Sequence, residues 1–247
     1  MRRILTRAGA AAGKAFGTLA GSLFPDRCPV CGEIPDGEGA MLCRACFEML
    51  SFVEEPVCLT CGRTVADGAE EFCAECAAKP KSFERGYPLL WYDDTMRRIV
   101  SDIKYRNRRR YAIPFGRLMA ARFFEAVRRS DCLVPVPVHR SRLKKRGFNQ
   151  AELLARIIQE RTGVPVRTDL LFRVRKTEAQ KALSPDERIR NLETAFSASR
   201  AAASAGRILL IDDIYTTGST AEACTRVLKA AGAEHVSVMT LCAVPEY

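Results

Sequence analysis

Residues 208–220, Ile-Leu-Leu-Ile-Asp-Asp-Ile-Tyr-Thr-Thr-Gly-Ser-Thr, constrain what this chain can fold into more than any other stretch. Four consecutive aliphatic residues, Ile208 to Ile211, read as a strand buried on both faces, which predicts a parallel sheet covered by helices. Asp212 and Asp213 then stand at the carboxyl end of that strand, where open α/β sheets place their ligands. Thr216, Thr217, Gly218, Ser219 and Thr220 follow as a small, hydroxyl-rich turn into a helix predicted over about Ser219–Ala231. Backbone N–H groups at such a helix start suit a phosphate. Two carboxylates beside a phosphate cradle make a poor site for a bare anion. A sugar phosphate satisfies both halves, because its hydroxyls or a divalent metal can engage the acids. Plain helix capping needs one such residue, whereas six polar ligating side chains fall within nine positions here.

Eight of the eleven cysteines form two copies of C-x2-C-x11-C-x2-C. The first copy is Cys28, Cys31, Cys43 and Cys46; the second is Cys58, Cys61, Cys73 and Cys76, each 30 positions after its counterpart. Four thiolates in two C-x2-C hooks match the all-sulfur tetrahedral coordination of a structural Zn2+, so two such sites are expected. Gly32 and Gly62 follow the first hook in each copy, as a tight knuckle requires. A closed four-thiolate shell leaves no position for a reactive water. Disulfides suit an oxidising compartment, and a redox pair needs only one hook. The segments between hooks carry little apolar material, so metal binding would supply much of this module's folding free energy. Pairing within each copy is the simplest arrangement, and interleaved pairing has the same spacing. Cys132, Cys224 and Cys242 sit in apolar contexts and read as small core residues.

A chain of 247 residues suggests one medium domain and a smaller module. It contains no run of eighteen apolar residues, so no transmembrane helix is expected. The first 24 residues are basic and Ala/Gly-rich, with scattered apolar positions that would form at most a weak amphipathic helix. Arg7 and Lys14 interrupt any secretory core, which points to a cytoplasmic, reducing setting. The net charge of +10 is unevenly spread: Arg97 to Arg146 holds 16 Lys/Arg against three acids, while Cys28 to Glu84 holds 11 acids against four Lys/Arg. An acidic front thus precedes a basic body, which suits a polyphosphate substrate or a nucleic-acid backbone. The bland alternative is solvated helix faces.

Along the body, strands are predicted at Tyr87–Tyr92, from Leu133, at Leu170–Val174, at Ala195–Ser197 and at Val236–Val244, with helices at Thr95–Tyr105, Ile113–Arg128 and Asn149–Arg161. Pro135 and Pro137 deny the second strand its ladder donors, so the chain must leave the sheet there. That puts His139 and Arg140 on the same rim as Asp212. The next stretch, through Arg146, crowds five Lys/Arg into eight positions; it reads either as a solvated loop or as a pyrophosphate contact. Residues 176–191 read as a mobile loop leading into a short helix capped by Ser184.

The run from Ile208 to Thr220 resembles the 5-phosphoribosyl-1-diphosphate (PRPP) loop of type I phosphoribosyltransferases. Together with Pro-Val-Pro-Val-His, Arg146-Gly-Phe-Asn-Gln-Ala, Thr177-x-x-Gln180-x-x-Leu183 and Arg188-x-x-Asn191, the chain from about Leu23 resembles the ComF (GntX-like) family. The resemblance implies a mainly parallel, five-stranded α/β sheet flanked by helices. It also implies a double zinc ribbon (25–80) followed by a phosphoribosyltransferase-like domain (81–247); the basic N-terminal segment (1–24), expected to be helical in part, is less typical of the family. Asp212 and Asp213 would contact the ribose hydroxyls, and one of them is a candidate for proton transfer. Thr216 to Thr220 would wrap the 5-phosphate. Residues Pro135 to Arg146, including Val138, His139, Arg140 and Arg146, would lie on the pyrophosphate side. The loop beginning at Lys176 would close over the site.

Two functions follow from that resemblance and the charge pattern. One is a phosphoribosyltransferase that binds PRPP with Mg2+ and passes phosphoribose to a nucleobase-like nitrogenous acceptor, releasing pyrophosphate. The other is a DNA-uptake factor that binds single-stranded DNA through the basic stretch, with Tyr105, Tyr111, Phe115 and Phe148 interleaved among its cations.

Overall fold

The computed structural model describes residues 26–37, 39–175, 192 and 194–245. The N-terminal segment, Lys176 and the predicted closing loop at 176–191 lie outside the described residues. Contacts divide the chain into two units, Met1–Met49 and Leu50–Tyr247, and this division runs between the two cysteine repeats. Among the described residues of the first unit a short helix, α1 (Arg44–Glu48), starts directly after Cys43. In the second unit α2 (Ala74–Ala78) starts in the same way after Cys73.

The second unit is built on a four-stranded parallel sheet in the order β1-β6-β5-β2. Its strands are β1 (Gly86–Trp91), β2 (Cys132–Pro135), β5 (Arg207–Tyr215) and β6 (His235–Ala243). Strand β5 sits between β6 and β2, so Ile208, Leu209, Leu210 and Ile211 are all buried, as their apolar run requires. The strand runs past the predicted end at Ile211 because β6 continues beside it, pairing Asp212 with Thr240 and Tyr215 with Ala243. Strand β2 ends at Pro135, where the sequence places the exit from the sheet.

Among the described residues the sheet has four strands rather than the expected five. Where a fifth would join, beside β2, only a single parallel bridge forms between Leu133 and Val166. Pro165, which has no N–H, precedes Val166 and leaves little ladder to extend. The predicted strands near 170–174 and 195–197 pair with each other instead. They form a separate antiparallel ribbon of β3 (Leu171–Arg173) and β4 (Phe196–Ala198).

The helices fall close to their predicted places. Helix α3 (Asp94–Tyr105) is capped by Asp93, whose Oδ1 accepts from the Met96 N–H at 2.8 Å. The predicted helix over 113–128 is two helices, α4 (Ala112–Arg122) and α5 (Phe124–Arg128), separated at Phe123. The basic run forms α6 (Arg140–Arg146), which ends at Gly147 in the left-handed conformation. Helix α7 (Gln150–Thr162) buries Ala151, Leu154, Ala155 and Ile158, the face its periodicity marks. Helix α8 (Ser219–Ala230) follows β5.

Helices α4 and α7 approach so closely that a Cβ at Gly116 would lie 2.8 Å from Ile157 Cγ2. A valine there overpacks the helix pair, which typically costs about 1–3 kcal/mol. The expected outcome for Gly116→Val is a melting temperature lower by about 3–10 °C, with zinc content unchanged. A melting curve that matches the parent chain would show that the helices part without strain.

Candidate functional site

The carboxyl ends of β2 and β5 open onto a cleft of about 670 Å³. Side chains alternate along a strand, so Asp213 is buried and Asp212 is half-buried, yet both line this cleft. The Asp213 N–H donates to Asp212 Oδ1 at 2.8 Å. Lys104, from the last turn of α3, forms an ion pair with Asp213 Oδ2, and both side chains are largely buried. Burial first, and the charge of Asp213 second, hold the Asp212 carboxyl well above the usual carboxylate range.

The opposite wall is cationic. Helix α6 turns Arg142, Lys145 and Arg146 toward the cleft, because positions three and four apart share one helical face. Arg109 and Arg173 join them, so six Lys/Arg, counting Lys104, face the two carboxylates. Burial, followed by repulsion from Arg142, lowers the affinity of Arg173 for its proton. The arginines are braced on aromatic faces: Arg109 Cζ lies 4.4 Å from the Phe148 ring centre and Arg146 Cζ lies 5.4 Å from that of Tyr105. Asn149 ties the start of α7 to the strand exit, its Nδ2 donating to Val136 O at 3.0 Å.

The predicted residues divide as follows. Val138, Arg146, Asp212, Asp213 and Thr220 line the cleft. His139 caps α6 instead, its Nδ1 accepting from the Ser141 N–H at 3.2 Å, and Arg140 is absent from the lining. Thr216, Thr217, Gly218 and Ser219 form the turn into α8; Gly218 is left-handed at φ +70°, and Thr217 Oγ1 lies 2.7 Å from Ser219 Oγ. Sequence reasoning missed Lys104 and Arg173 and carried Gln150 only inside the quoted motif that starts at Arg146. Lys104 lies in the last turn of α3 and Arg173 ends β3, and nothing local to either residue marks it.

The cysteines gather within each copy. All four Sγ atoms of Cys28, Cys31, Cys43 and Cys46 lie within 4.8 Å of one another, and so do those of Cys58, Cys61, Cys73 and Cys76. Sγ separations are 3.7 Å for Cys31–Cys43 and 3.6 Å for Cys61–Cys73. Tetrahedral Zn–S bonds of about 2.3 Å require sulfur–sulfur edges of about 3.8 Å, so both donor sets fit the metal. Burial pushes the Cys28 thiol up, but backbone N–H groups of Cys31, Cys43 and Val30 outweigh it and bring it to about 7. Burial and the neighbouring sulfurs push Cys43 up to about 12. Thiols this close cannot all ionise unless a cation holds them. Cys132, Cys224 and Cys242 are buried in apolar surroundings, as expected.

Comparison with known proteins agrees with both halves. Residues 19–77 match the double zinc ribbon domain, and residues 142–247 match the phosphoribosyl transferase domain. The DNA utilization protein YhgH of Salmonella typhimurium is 30% identical over 191 residues, 75% of this chain and 83% of that protein. The chain belongs to the ComF family. Competence protein F of Haemophilus influenzae is 28% identical over 81% of this chain and 89% of its own length. Competence protein ComFC of Bacillus subtilis is 28% identical over 81% and 83%. This ComF-family chain therefore joins a phosphoribosyltransferase fold to thiolate tetrads suited to structural zinc. No helix among the described residues is long and apolar enough to cross a membrane.

The raised Asp212 carboxyl has a consequence for stability. Its folded state favours the protonated form, so its contribution is present below the unfolded carboxylate range and is lost as pH rises through the raised folded value. Asparagine stays neutral and can keep accepting from the Asp213 N–H. Asp212→Asn should therefore melt a few degrees higher than the parent at about pH 8 and converge with it near about pH 4. Parallel melting curves at both pH values would contradict this.

Proposed function

We propose that the cleft binds PRPP together with Mg2+ and transfers its phosphoribosyl group to a nitrogenous acceptor. The observation that carries this reading is the placement of Asp212 and Asp213 at the end of β5, facing six cations across one cleft and leading into a left-handed Gly218 at a helix start. The acids suit the ribose hydroxyls, the turn suits the 5-phosphate, and Arg142, Lys145 and Arg146 suit the diphosphate. Asp212 is under pressure to neutralise even with Lys104 beside Asp213, so the acid pair can accept further positive charge. Bound Mg2+ would supply that charge and offset the diphosphate.

In the transfer, the acceptor nitrogen forms a bond to C1 of the ribose as the bond from C1 to the diphosphate oxygen breaks. The diphosphate leaves with the electron pair, and the acceptor's proton passes to an oxygen of that departing diphosphate. No side-chain nucleophile is required. The cationic wall stabilises charge on the departing diphosphate, and the acids hold the sugar as C1 becomes electron-poor. Titration calorimetry should detect PRPP binding in the presence of Mg2+, and Asp213→Asn should slow pyrophosphate release with a panel of bases by about 100-fold. Undetectable binding to the parent chain would remove the enzyme reading.

A second reading has its own observation. On the wall of the cleft, Tyr105 is 73% exposed, and it adjoins a run in which Arg106, Arg108, Arg109 and Arg110 are all exposed. An exposed ring flanked by cations suits the stacked bases and backbone of single-stranded DNA, consistent with relatives named for competence and DNA utilization. Neutralising Arg108, Arg109 and Arg110 together should reduce the slope of log affinity against log salt by about 2. A slope that does not change, or no binding at low salt, would exclude this surface.

A further inference from the structure

The two cysteine repeats share every spacing but differ in what surrounds them. The second tetrad is buried at all four positions, and a guanidinium lies against it. Arg63 is 3% exposed; its Nη2 donates to Cys73 Sγ at 3.7 Å and to Glu75 Oε2 at 2.7 Å. Lys81 Nζ holds the other oxygen of Glu75 at 2.7 Å. The positions 30 residues earlier are Glu33, Ala45 and Ser51, so this charged cluster belongs to the second copy alone. A zinc with four thiolates carries net negative charge, which a buried cation offsets.

The same guanidinium points toward the phosphate turn. Arg63 Cζ lies 5.5 Å from the ring centre of Tyr215, the last residue of β5. Tyr215 is 3% exposed, and Phe83 meets its ring edge-on at 6.3 Å. The Tyr215 hydroxyl sits so close to Gly218 that a Cβ there would lie 2.3 Å from it. Only glycine has room for that approach, and glycine also permits the φ of +70° that opens α8.

Two further contacts tie the same elements together. The Gly86 N–H donates to Thr60 O at 2.6 Å, and a Cβ at Gly86 would meet Cys61 O at 2.3 Å, so the second knuckle packs backbone to backbone on β1. Ser82 donates through its N–H and hydroxyl to Glu222, in the first turn of α8, at 2.8 and 2.6 Å. The knuckle, Tyr215 and α8 are therefore in contact around Gly218.

We propose that Arg63 is a positioning residue: it joins the second thiolate tetrad to Tyr215 and thereby holds the Thr216–Thr220 turn in its phosphate-binding conformation. The two metal sites then have different roles, and only the second supports the cleft. The affinity part of this proposal rests on the reading of that turn as a phosphate cradle; the conformational part does not.

The test uses the full zinc-loaded chain and four substitutions. Arg63→Met removes the cation, Arg63→Lys keeps it, Tyr215→Leu removes the ring without touching the tetrad, and Cys31→Ser disturbs the first copy. Hydrogen exchange across 214–222 should quicken in Arg63→Met and Tyr215→Leu, remain near parental in Arg63→Lys, and be unchanged in Cys31→Ser. PRPP affinity with Mg2+ should fall about tenfold in each of the first two. The double variant should be no worse than either alone, as expected for one shared contact. Metal analysis should find both zinc ions retained in Tyr215→Leu, so this variant decides the matter even if Arg63→Met sheds its metal. Unchanged exchange in 214–222 for Tyr215→Leu would overturn the proposal. A parent chain that fails to bind PRPP would instead refute the reading of the cleft, leaving the exchange result to stand by itself.

Discussion

Strand β5 carries the structure's central constraint: four aliphatic side chains sealed inside the sheet, followed by two carboxylates of which the second, Asp213, is buried and needs a cation. The aliphatic run holds the strand between two neighbours and covers both faces. Because the strand cannot shift, Asp212 and Asp213 are delivered to the sheet's carboxyl edge at a set height. Lys104 must then come from α3 to satisfy Asp213, since an unpaired charge there would be costly to bury. The cleft forms around that pair, with α6 supplying positive charge from the other side.

The proposed reading of the cleft, a polyanionic sugar rather than a simple acid or base, rests on its charge balance. Six cations outnumber two carboxylates, and they are spread over α3, α6, β3 and the segment following α3. A ligand that touches all of them must present several anionic groups along its length. The carboxylates, unable to share a site comfortably, favour hydroxyls or a metal at the same place. Under the proposed reading, this division within one cavity separates a sugar diphosphate from either half of it.

The tetrads follow the same electrostatic logic in a different element. Sulfurs under 4 Å apart resist common ionisation, and a divalent cation resolves the conflict. The copies part company in the charges nearby: Arg63, Glu75 and Lys81 surround the second, whereas the positions 30 residues earlier in sequence are Glu33, Ala45 and Ser51. A repeat in sequence is therefore not a repeat in surroundings.

Much of this was legible beforehand where the signal is local. The apolar run, the prolines that end β2 and follow it, the C-x2-C hooks and the amphipathic face of α7 each act through neighbours in the chain, so spacing alone reveals them. The missing fifth strand was not legible, because pairing depends on what lies alongside: residues 171–173 and 196–198 found each other rather than the main sheet. Nor could the basic run declare which of its cations face the cleft until its helical phase was known, which turned Arg142, Lys145 and Arg146 inward and left Arg140 out. The sequence by itself determined the α/β class, the metal-binding cysteines and the acid pair at a strand end, since backbone periodicity and ligand spacing are properties of consecutive residues. Only the tertiary structure decided that Lys104 pairs with Asp213 and that Arg63 lies over Tyr215, because each contact joins residues more than a hundred positions apart and exists only once the sheet has brought them together.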